Sequence, residues 1–269
     1  MRLTVDPDPD AAIAVLRRAV ELGVNHIDTA AFYTSPGGIL EGRPGRQRWS
    51  TELIKEALHP YPEDLTIATK VGPGVLGGGF EQAKTADRLR AQVEENLTRL
   101  GVDRLDLVNL RIIRQPGQDA VAERFGWLAE LQAEGLIKNL GLSNVRRDHI
   151  VEARRIAPVC CVQNSYSVDH NRDDDDLLWW CADHGIAYVP FFTIAGAARE
   201  AGPESGHSDA LMAVATSHGV TPTQIRLAWS LQRGPNVLAI PGTGSIAHLE
   251  ENVAAAAITL EPEELSALG

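Results

Sequence analysis

A tyrosine, a lysine and an aspartate stand at the ends of apolar runs, where together they could transfer a proton. Asp28 closes the run Val24–Asp28, Tyr33 follows five residues later, and Lys70 closes the next run, Leu65–Lys70. A free phenol has a pKa of about 10 and is a poor proton donor at pH 7. A cation beside it, held by a carboxylate, makes proton donation easier near neutral pH. The spacing therefore predicts general acid–base chemistry at Tyr33.

The elements that must position these residues are short strands alternating with amphipathic helices. A helix over Asp10–Leu22 is predicted first, ending at Gly23. Seven strands follow, each with a helix after it, over residues 24–28, 65–70, 105–110, 139–142, 158–163, 187–192 and 237–240. Such repetition with short links implies a parallel sheet. It favours a (β/α)8 TIM barrel, of the α/β class, whose first strand is missing or degraded at the N-terminus. No Pro/Ser-rich linker divides the chain, which predicts a single domain over residues 1–269.

Polar or aromatic groups follow every predicted strand, at the barrel end where such folds carry out chemistry. They are Asp28, Lys70, Arg111, Ser143/Asn144, Gln163/Asn164, Phe192/Thr193 and Gly242/Thr243. A single polar residue after a strand is more often a turn or a helix cap. Seven in succession predict a polar pocket.

Two glycine-rich segments have different expected roles. Gly72–Gly79 lacks the Gly-Lys-Ser/Thr ending of a phosphate loop, so a flexible loop at the pocket rim is predicted. Pro241–Ser245 precedes a predicted helix, whose free N–H groups would favour a phosphate. The acidic run Asp173–Asp176 begins another helix, where helix capping and solvation are expected rather than metal binding.

The bulk composition restricts the partners and the compartment. The 269 residues carry a net charge of −11, which disfavours nucleic acid and anionic membranes as partners. Three cysteines without a CxxC pair suit a reducing cytosol, and no secretory signal pattern opens the sequence, so a cytoplasmic protein is predicted. The eight histidines show no paired ligand spacing, and no metal is expected.

Five motifs, in order, resemble the aldo-keto reductases from about Asp10 to the C-terminus. They are Asn-His-Ile-Asp-Thr-Ala-x-x-Tyr ending at Tyr33, Thr69-Lys70, Gly141-Leu142-Ser143-Asn144-Val145, Val162-Gln163-Asn164-Ser165-Tyr166, and Ile240-Pro241-Gly242-Thr243 with Glu251-Asn252 further on. The segment Asp106–Arg111 is similar to the bacterial pyridoxal reductase-like (pyridoxine 4-dehydrogenase) branch.

The resemblance implies a role for each catalytic candidate. Tyr33 would be the general acid, Lys70 the cation that assists it, and Asp28 the carboxylate that holds Lys70. Arg111 stands where most members have histidine. Its fixed fork of donors could orient a carbonyl or hold a substrate anion.

The resemblance implies NADPH as the cofactor. NADH is possible as well, because Gly242 and His248 stand where many NADPH-specific members have Lys and Arg. Positions matching the nicotinamide, phosphate, ribose and adenine contacts are Ser143, Asn144, Gln163, Phe192, Thr193, Gly242, Thr243, Ser245, His248, Glu251 and Asn252.

The implied activity is reduction of a small aldehyde or ketone, pyridoxal-like or other. One alternative is a non-redox cyclase, dehydratase or isomerase that uses the same acid–base groups, since the missing first strand would thin the cofactor pocket. Another is a sensor that binds cofactor without turnover.

A sheet edge exposed by the missing strand would favour a homo-oligomer. Substrate choice is assigned to three loops, namely Ser35–Trp49, Gly72–Phe80 and Ile194–Ser208.

Overall fold

The computed structural model of this chain describes residues 8–35, 48–76, 79–113, 120–170, 174–194 and 207–269. The chain forms two compact units. The first consists of Met1–Val162 with Gly242–Ile246, and the second of Gln163–Pro241 with Ala247–Gly269. That residues 1–269 act as one domain stays a prediction.

The first unit alternates helices with short strands. In chain order its elements are α1 (Pro9–Glu21), β1 (His26–Asp28), β2 (Thr34–Ser35), β3 (Arg48–Trp49), α2 (Ser50–Leu58), β4 (Thr66–Val71), β5 (Pro73–Leu76), β6 (Gly79–Gln82), α3 (Ala86–Leu100), β7 (Leu105–Arg111), α4 (Ala122–Ala133), β8 (Ile137–Ser143), α5 (Arg147–Ala153) and β9 (Cys161–Gln163), whose last residue opens the second unit. Within the described residues no strand precedes α1.

Strands β1, β4, β7, β8 and β9 are neighbours in that order in one sheet. The pairs β1–β4, β4–β7 and β7–β8 are parallel, as the strand–helix repetition predicts. The register places Asp28 opposite Ala68, and Lys70 opposite Asn109. The carboxyl ends of β1 and β4, which carry Asp28 and Lys70, therefore lie side by side on the same side of the sheet.

Helix α3 is the main support behind these strand ends. The side chain of Thr85 accepts a hydrogen bond from the Arg88 N–H and caps its start, and Gly101 ends it at a φ of 69°. A left-handed residue at this position is usually glycine, which carries no Cβ penalty. The helix buries Leu89, Val93 and Leu100 at helical spacing, which fixes its face against the sheet.

The segment Gly72–Gly79 differs from its prediction. It is not a loop, because β5 and β6 pair in an antiparallel hairpin with Pro73 opposite Gln82 and Leu76 opposite Gly79. Residues 77–78 lie outside the described residues. Hydrogen bonds of a ladder join main-chain groups, so a glycine-rich sequence can form one although its side chains give no periodic signal. Pro73 is tolerated because it stands at the first position of its strand.

The second unit is mostly helical. Its elements are α6 (Asp175–Asp183), β10 (Ala187–Tyr188), α7 (Asp209–His218), α8 (Pro222–Leu231), α9 (Ile246–Ala254, whose first residue belongs to the first unit), a 3-10 turn (Ala255–Ala257) and α10 (Pro262–Leu268). The predicted strand over Val237–Ile240 is reduced to one bridge between Tyr188 and Val237. Tyr166, Tyr188 and Trp229 form a buried aromatic core, with Tyr166 stacked on Trp229 at 5.5 Å between ring centroids.

The acidic run at the start of α6 also differs from its prediction. Asp174 occupies the N-cap position without a capping hydrogen bond and instead accepts from the Tyr188 hydroxyl at 3.1 Å. Asp175 accepts from the Tyr166 hydroxyl and from Arg233 Nη2, the latter at 2.9 Å. Capping and solvation was therefore the wrong interpretation for these two carboxylates, because buried hydroxyls need acceptors. Asp173 lies outside the described residues.

Candidate active site

A buried ion pair lies at the ends of β1 and β4. Lys70 Nζ donates to both carboxylate oxygens of Asp28, at 2.7 and 2.5 Å, and to the Thr29 carbonyl at 3.0 Å. The side chains are 1% and 8% exposed. An ammonium has three donors, and all of them are used here. The pair is therefore fixed by its own geometry.

The charge of Lys70 is maintained although the residue is buried. Burial alone would lower the pKa of Lys70, but the Asp28 carboxylate and Tyr33 raise it above its ordinary value. The positive charge of Arg111 acts in the lowering direction and is the weakest of these influences. The lysine therefore stays an ammonium at neutral pH.

The strand register explains how the pair forms. Asp28 is opposite Ala68, and Lys70 follows two residues after Ala68 on β4. Residues two apart on a strand point to the same face, so the lysine side chain projects on the face that Ala68 occupies. Its long stem then reaches the carboxylate of the neighbouring strand.

Tyr33 is held close to this pair by its own backbone. Its N–H donates to the Ala30 carbonyl at 3.1 Å, and its carbonyl accepts from the Ser50 N–H at 3.0 Å. The hydroxyls of Thr29 and Ser50 are 2.6 Å apart, which ties the same segment to the start of α2. Lys70 Nζ lies 5.0 Å from the centroid of the Tyr33 ring. The structure thus brings three of the four predicted catalytic residues together.

Arg111, the fourth, closes β7 opposite Ser143 on β8. Its carbonyl accepts from Gln82 Nε2 at 3.2 Å, and the same amide's Oε1 accepts from the Ile113 N–H at 2.9 Å. Gln82 therefore anchors both sides of the turn that follows Arg111. The missed hairpin supplies this contact, since Gln82 ends β6.

Sequence reasoning missed a buried cluster beside Lys70, here called the polar floor, which consists of Asn109, Gly141 and Cys161. Asn109 is in register with Lys70 and Gly141, is 1% exposed, and accepts a hydrogen bond from the Cys161 thiol at 3.1 Å. A Cβ at Gly141 would lie 2.1 Å from Asn109 Oδ1, so only glycine leaves room for this amide. The available signal was the Asn109 amide within the mostly apolar run Leu105–Leu110. Asn109 stands two residues before Arg111, so both side chains lie on the same face of the strand.

Five of the predicted cofactor residues belong to the first unit. Ser143 is fully buried, and its Oγ has no hydrogen-bond partner among the described residues. Asn144 has a φ of 62° and donates from Nδ2 to the Ile112 carbonyl at 2.9 Å. Thr243 Oγ1 accepts from the Ser245 N–H at 3.1 Å, and α9 begins directly after Ser245, as predicted. Gly242 precedes this turn.

The other six lie in the second unit. Gln163 and Thr193 are buried, and Asn252 is 9% exposed with an Nδ2 that has no partner in the described part of the chain. Phe192 has a φ of 67°. His248 is exposed on α9, while Glu251 of the same helix accepts at its carbonyl from Gln224 Nε2 at 3.1 Å.

Among the described non-glycine residues, Asn144 and Phe192 are the two with positive φ. Asparagine tolerates the left-handed region, but a bulky aromatic residue there is an outlier, and such outliers concentrate at ligand sites. Both were predicted as cofactor residues from the motifs alone.

Residues 2–269 match the family model described as the aldo/keto reductase family. The chain belongs to the aldo/keto reductase family. It is 44% identical over 266 residues to pyridoxine 4-dehydrogenase of Escherichia coli strain K12, covering 97% of this chain and 86% of that relative. This aldo/keto reductase is therefore an oxidoreductase, and the predicted resemblance is confirmed.

Solved aldo-keto reductases share its fold. A thermostable aldo-keto reductase in complex with the inhibitor epalrestat matches with a TM-score of 0.78 at 32% identity, covering 98% of this chain and 89% of the other. An enzyme from Klebsiella pneumoniae in complex with NADP and acetate matches with a TM-score of 0.75 at 28% identity, covering 97% and 84%. The predicted (β/α)8 fold class is confirmed.

None of the helices in the described ranges has the length and apolarity needed to cross a bilayer. Within those same ranges, no three His, Cys, Asp or Glu side chains are grouped as metal ligands would be. The cytoplasmic location and the homo-oligomer stay predictions.

Proposed function

We propose that this protein reduces a small aldehyde or ketone with NADPH, with Tyr33 donating the proton to the carbonyl oxygen. The observation that carries the proposal is the buried Lys70 ammonium, saturated by Asp28 and Thr29 and lying 5.0 Å from the Tyr33 ring. The family membership supports carbonyl reduction, and the fine assignment of roles is ours.

The acid–base step follows from charge. When the phenol of Tyr33 gives up its proton, a negative charge develops on its oxygen, and the nearby ammonium stabilises that charge. Asp28 holds Lys70 in one position, so no reorganisation is needed during the reaction. Lys70 itself stays protonated throughout, because its pKa is raised by Asp28 and Tyr33 in spite of burial, which acts to lower it.

Arg111 is assigned to the substrate. A guanidinium is always charged and offers donors in a fixed fork, so it cannot serve as the acid but can orient a carbonyl or hold an anionic group. Its placement at the end of β7, with the backbone fixed through Gln82, suits such an orienting role.

The residues present fit a nicotinamide dinucleotide. Ser143 Oγ and Asn252 Nδ2 are buried polar atoms without partners among the described residues, and a ligand that offers amide and ring-nitrogen groups would satisfy them. When bound, NADPH supplies hydride to the carbonyl carbon. We assign the nicotinamide end to Ser143, Asn144, Gln163, Phe192 and Thr193, and the phosphate, ribose and adenine groups to Gly242, Thr243, Ser245, His248, Glu251 and Asn252.

Two relatives guide the choice of cofactor and substrate. The Klebsiella pneumoniae enzyme was crystallised with NADP, which favours NADPH here, with NADH as the second cofactor to try. The relative named pyridoxine 4-dehydrogenase makes pyridoxal the first carbonyl compound to test.

The test is NADPH oxidation, followed at 340 nm, with pyridoxal and a set of simple aldehydes. We expect Tyr33→Phe to lower kcat by about 10²- to 10⁴-fold, the usual contribution of a general acid, while NADPH affinity is retained. Equal rates for wild type and Tyr33→Phe would refute the proposal. Failure to bind NADPH in a fluorescence titration would instead favour the non-redox alternative.

A further inference from the structure

Arg99, in the last turn of α3, contacts the chain on both sides of Tyr33. Its guanidinium carbon lies 3.8 Å from the centroid of the Trp49 ring, and its Nη1 donates to the Ala31 carbonyl at 3.4 Å. Ala31 is two residues before Tyr33. Trp49 is paired with Thr34, the residue directly after Tyr33, in the β2–β3 ladder. One side chain therefore bridges the two flanks of the proposed proton donor.

The Trp49 flank is fixed by further bonds. The ladder pairs Thr34 with Trp49 and Ser35 with Arg48. Directly after it, the Ser50 N–H donates to the Tyr33 carbonyl at 3.0 Å. The Trp49 N–H donates to Glu52 Oε2 at 3.4 Å, which joins this flank to α2. A guanidinium stacked on Trp49 thus acts on the segment to which the Tyr33 backbone is bonded.

The same helix also supports the strand that carries Lys70. Asn96, one turn before Arg99, is fully buried and accepts from the Thr69 hydroxyl at 2.6 Å. Its Nδ2 donates to the Gln92 carbonyl at 2.7 Å, which holds the amide in this orientation. Thr69 directly precedes Lys70, so α3 bonds to the neighbour of one proposed catalytic group and to the flanks of the other.

We infer that Arg99 is a positioning residue that sets the distance between Tyr33 and Lys70 through its contacts with Trp49 and Ala31. The inference rests on the proposed role of Tyr33. Tyr33 and Lys70 are 37 positions apart in the chain but only 5.0 Å apart from ring centroid to Nζ, and α3 is bonded to the segments of both. The stabilisation of a developing phenolate falls with distance from the ammonium, so a loosened Tyr33 segment slows proton transfer.

The chemistry of the contact requires arginine. The guanidinium is planar, stacks on an aromatic face and at the same time donates from its edge. It is 16% exposed and also pairs with Glu95 on its own helix, which limits its rotation. A lysine would keep the charge but lose the planar stacking.

The experiment compares Arg99→Ala, Arg99→Lys and Trp49→Leu with Arg90→Ala. Arg90 lies on the same helix, is 39% exposed, and pairs with Glu94 and Glu134 away from Tyr33, so its removal controls for the loss of an α3 arginine. We expect single-turnover NADPH oxidation to fall about tenfold in Arg99→Ala and Trp49→Leu, and less in Arg99→Lys. The Kd for NADPH should stay unchanged in all four variants.

Two further measurements separate positioning from general destabilisation. The loss in Arg99→Ala should fall on kcat, with the KM for the carbonyl compound close to the wild-type value, because Arg99 contacts the two flanks of the proposed proton donor. Hydrogen exchange should become faster at the amides of Tyr33 and Ser50 in Arg99→Ala and remain at the wild-type rate in Arg90→Ala. Trp49→Phe, which keeps an aromatic face, should restore most of the rate lost in Trp49→Leu.

The outcomes are distinguishable. If Tyr33→Phe keeps the wild-type rate, the proposed function fails. If Tyr33→Phe is inactive while Arg99→Ala and Trp49→Leu match Arg90→Ala in kcat, KM and exchange, the positioning role of Arg99 is overturned. Should Arg99→Ala not fold, Trp49→Leu and Trp49→Phe decide the matter, because the Trp49 ring is only half-buried.

Discussion

The Lys70–Asp28 cluster and the proposed cofactor residues differ in how their buried polar atoms are satisfied. All three donors of Lys70 have acceptors within 3.0 Å, and the Thr29 and Ser50 hydroxyls bond to each other. By contrast, Ser143 Oγ and Asn252 Nδ2 are buried without a partner among the described residues. A buried polar atom without a partner costs free energy of folding that a partner would restore.

Backbone strain divides the two regions in the same way. Both left-handed non-glycine residues of the described chain, Asn144 and Phe192, are in the cofactor set. Such conformations cost about 1–3 kcal/mol each. Contacts within the protein organise the proposed proton-transfer groups, whereas the proposed cofactor residues carry a cost that ligand binding would offset. The two regions should therefore respond differently to mutation and to NADPH.

The largest expected effect comes from breaking the ion pair. Lys70→Met removes the ammonium from the buried Asp28 carboxylate, which should lower the free energy of unfolding by about 3–5 kcal/mol and abolish turnover. Chemical denaturation and the NADPH oxidation assay measure the two effects. In the double variant Asp28→Leu/Lys70→Met, stability should recover while activity should not. Recovery of both would show that the pair is structural only.

The polar floor beside Lys70 should tolerate little change. Gly141→Ala places a Cβ 2.1 Å from Asn109 Oδ1 and 2.7 Å from Cys161 Sγ, so the variant should unfold about 1–3 kcal/mol more easily. Gly126→Ala is the matched control, because no atom lies within 4 Å of its added Cβ in α4. That change should stabilise the protein by roughly 0.5–1 kcal/mol. Urea midpoints that do not separate the two variants would contradict the geometry of the floor.

A pair of serines gives the sharpest version of the comparison. Ser50→Ala leaves the Thr29 hydroxyl without its partner and should cost about 1–2 kcal/mol of stability, with the Kd for NADPH unchanged. Ser143→Ala removes an unpartnered hydroxyl, so stability should stay level or rise, while NADPH binds on the order of tenfold more weakly. Thermal unfolding with and without NADPH reports both quantities. The reverse pattern would assign Ser143 to the fold and not to the cofactor.

The alternation of parallel strands with helices could be predicted from the sequence. The parallel order of β1, β4, β7 and β8 followed from the strand pattern, because strands and helices have different local periodicities. The contact of Lys70 with Asp28 was implied by the resemblance to the aldo-keto reductases. The β5–β6 hairpin did not follow, since its two four-residue strands flank a glycine-rich segment and are too short to show a side-chain periodicity. The carboxylates of Asp174 and Asp175 were misinterpreted for a different reason. Their partners, Tyr188, Tyr166 and Arg233, are distant in sequence and become neighbours only through tertiary packing.

A further difference between folded and unfolded protein appears at alkaline pH. Burial raises the pKa of Tyr61 and of Tyr166 to about 12, from an ordinary value of 10.0. Between those values the unfolded chain loses these protons while the folded chain keeps them, so stability is full below pH 10 and falls as the pH rises towards 12. Tyr61→Phe and Tyr166→Phe should each flatten this decline. Urea unfolding at pH 8, 10 and 11 measures it, and a decline equal to that of wild type in both variants would assign it to other groups, such as Lys70.

The fit between Asn109 and Gly141 also restricts the order in which the protein can evolve. A side chain at position 141 meets the Asn109 amide at 2.1 Å, so position 141 can enlarge only after position 109 has become smaller. Substituting Asn109 first is permitted sterically but leaves the Cys161 thiol without its acceptor. A lineage that acquires a bulkier residue at position 141 must therefore pass through an intermediate in which the polar floor has lost the hydrogen bond between Cys161 and Asn109. A change at position 109 should therefore precede any enlargement at position 141.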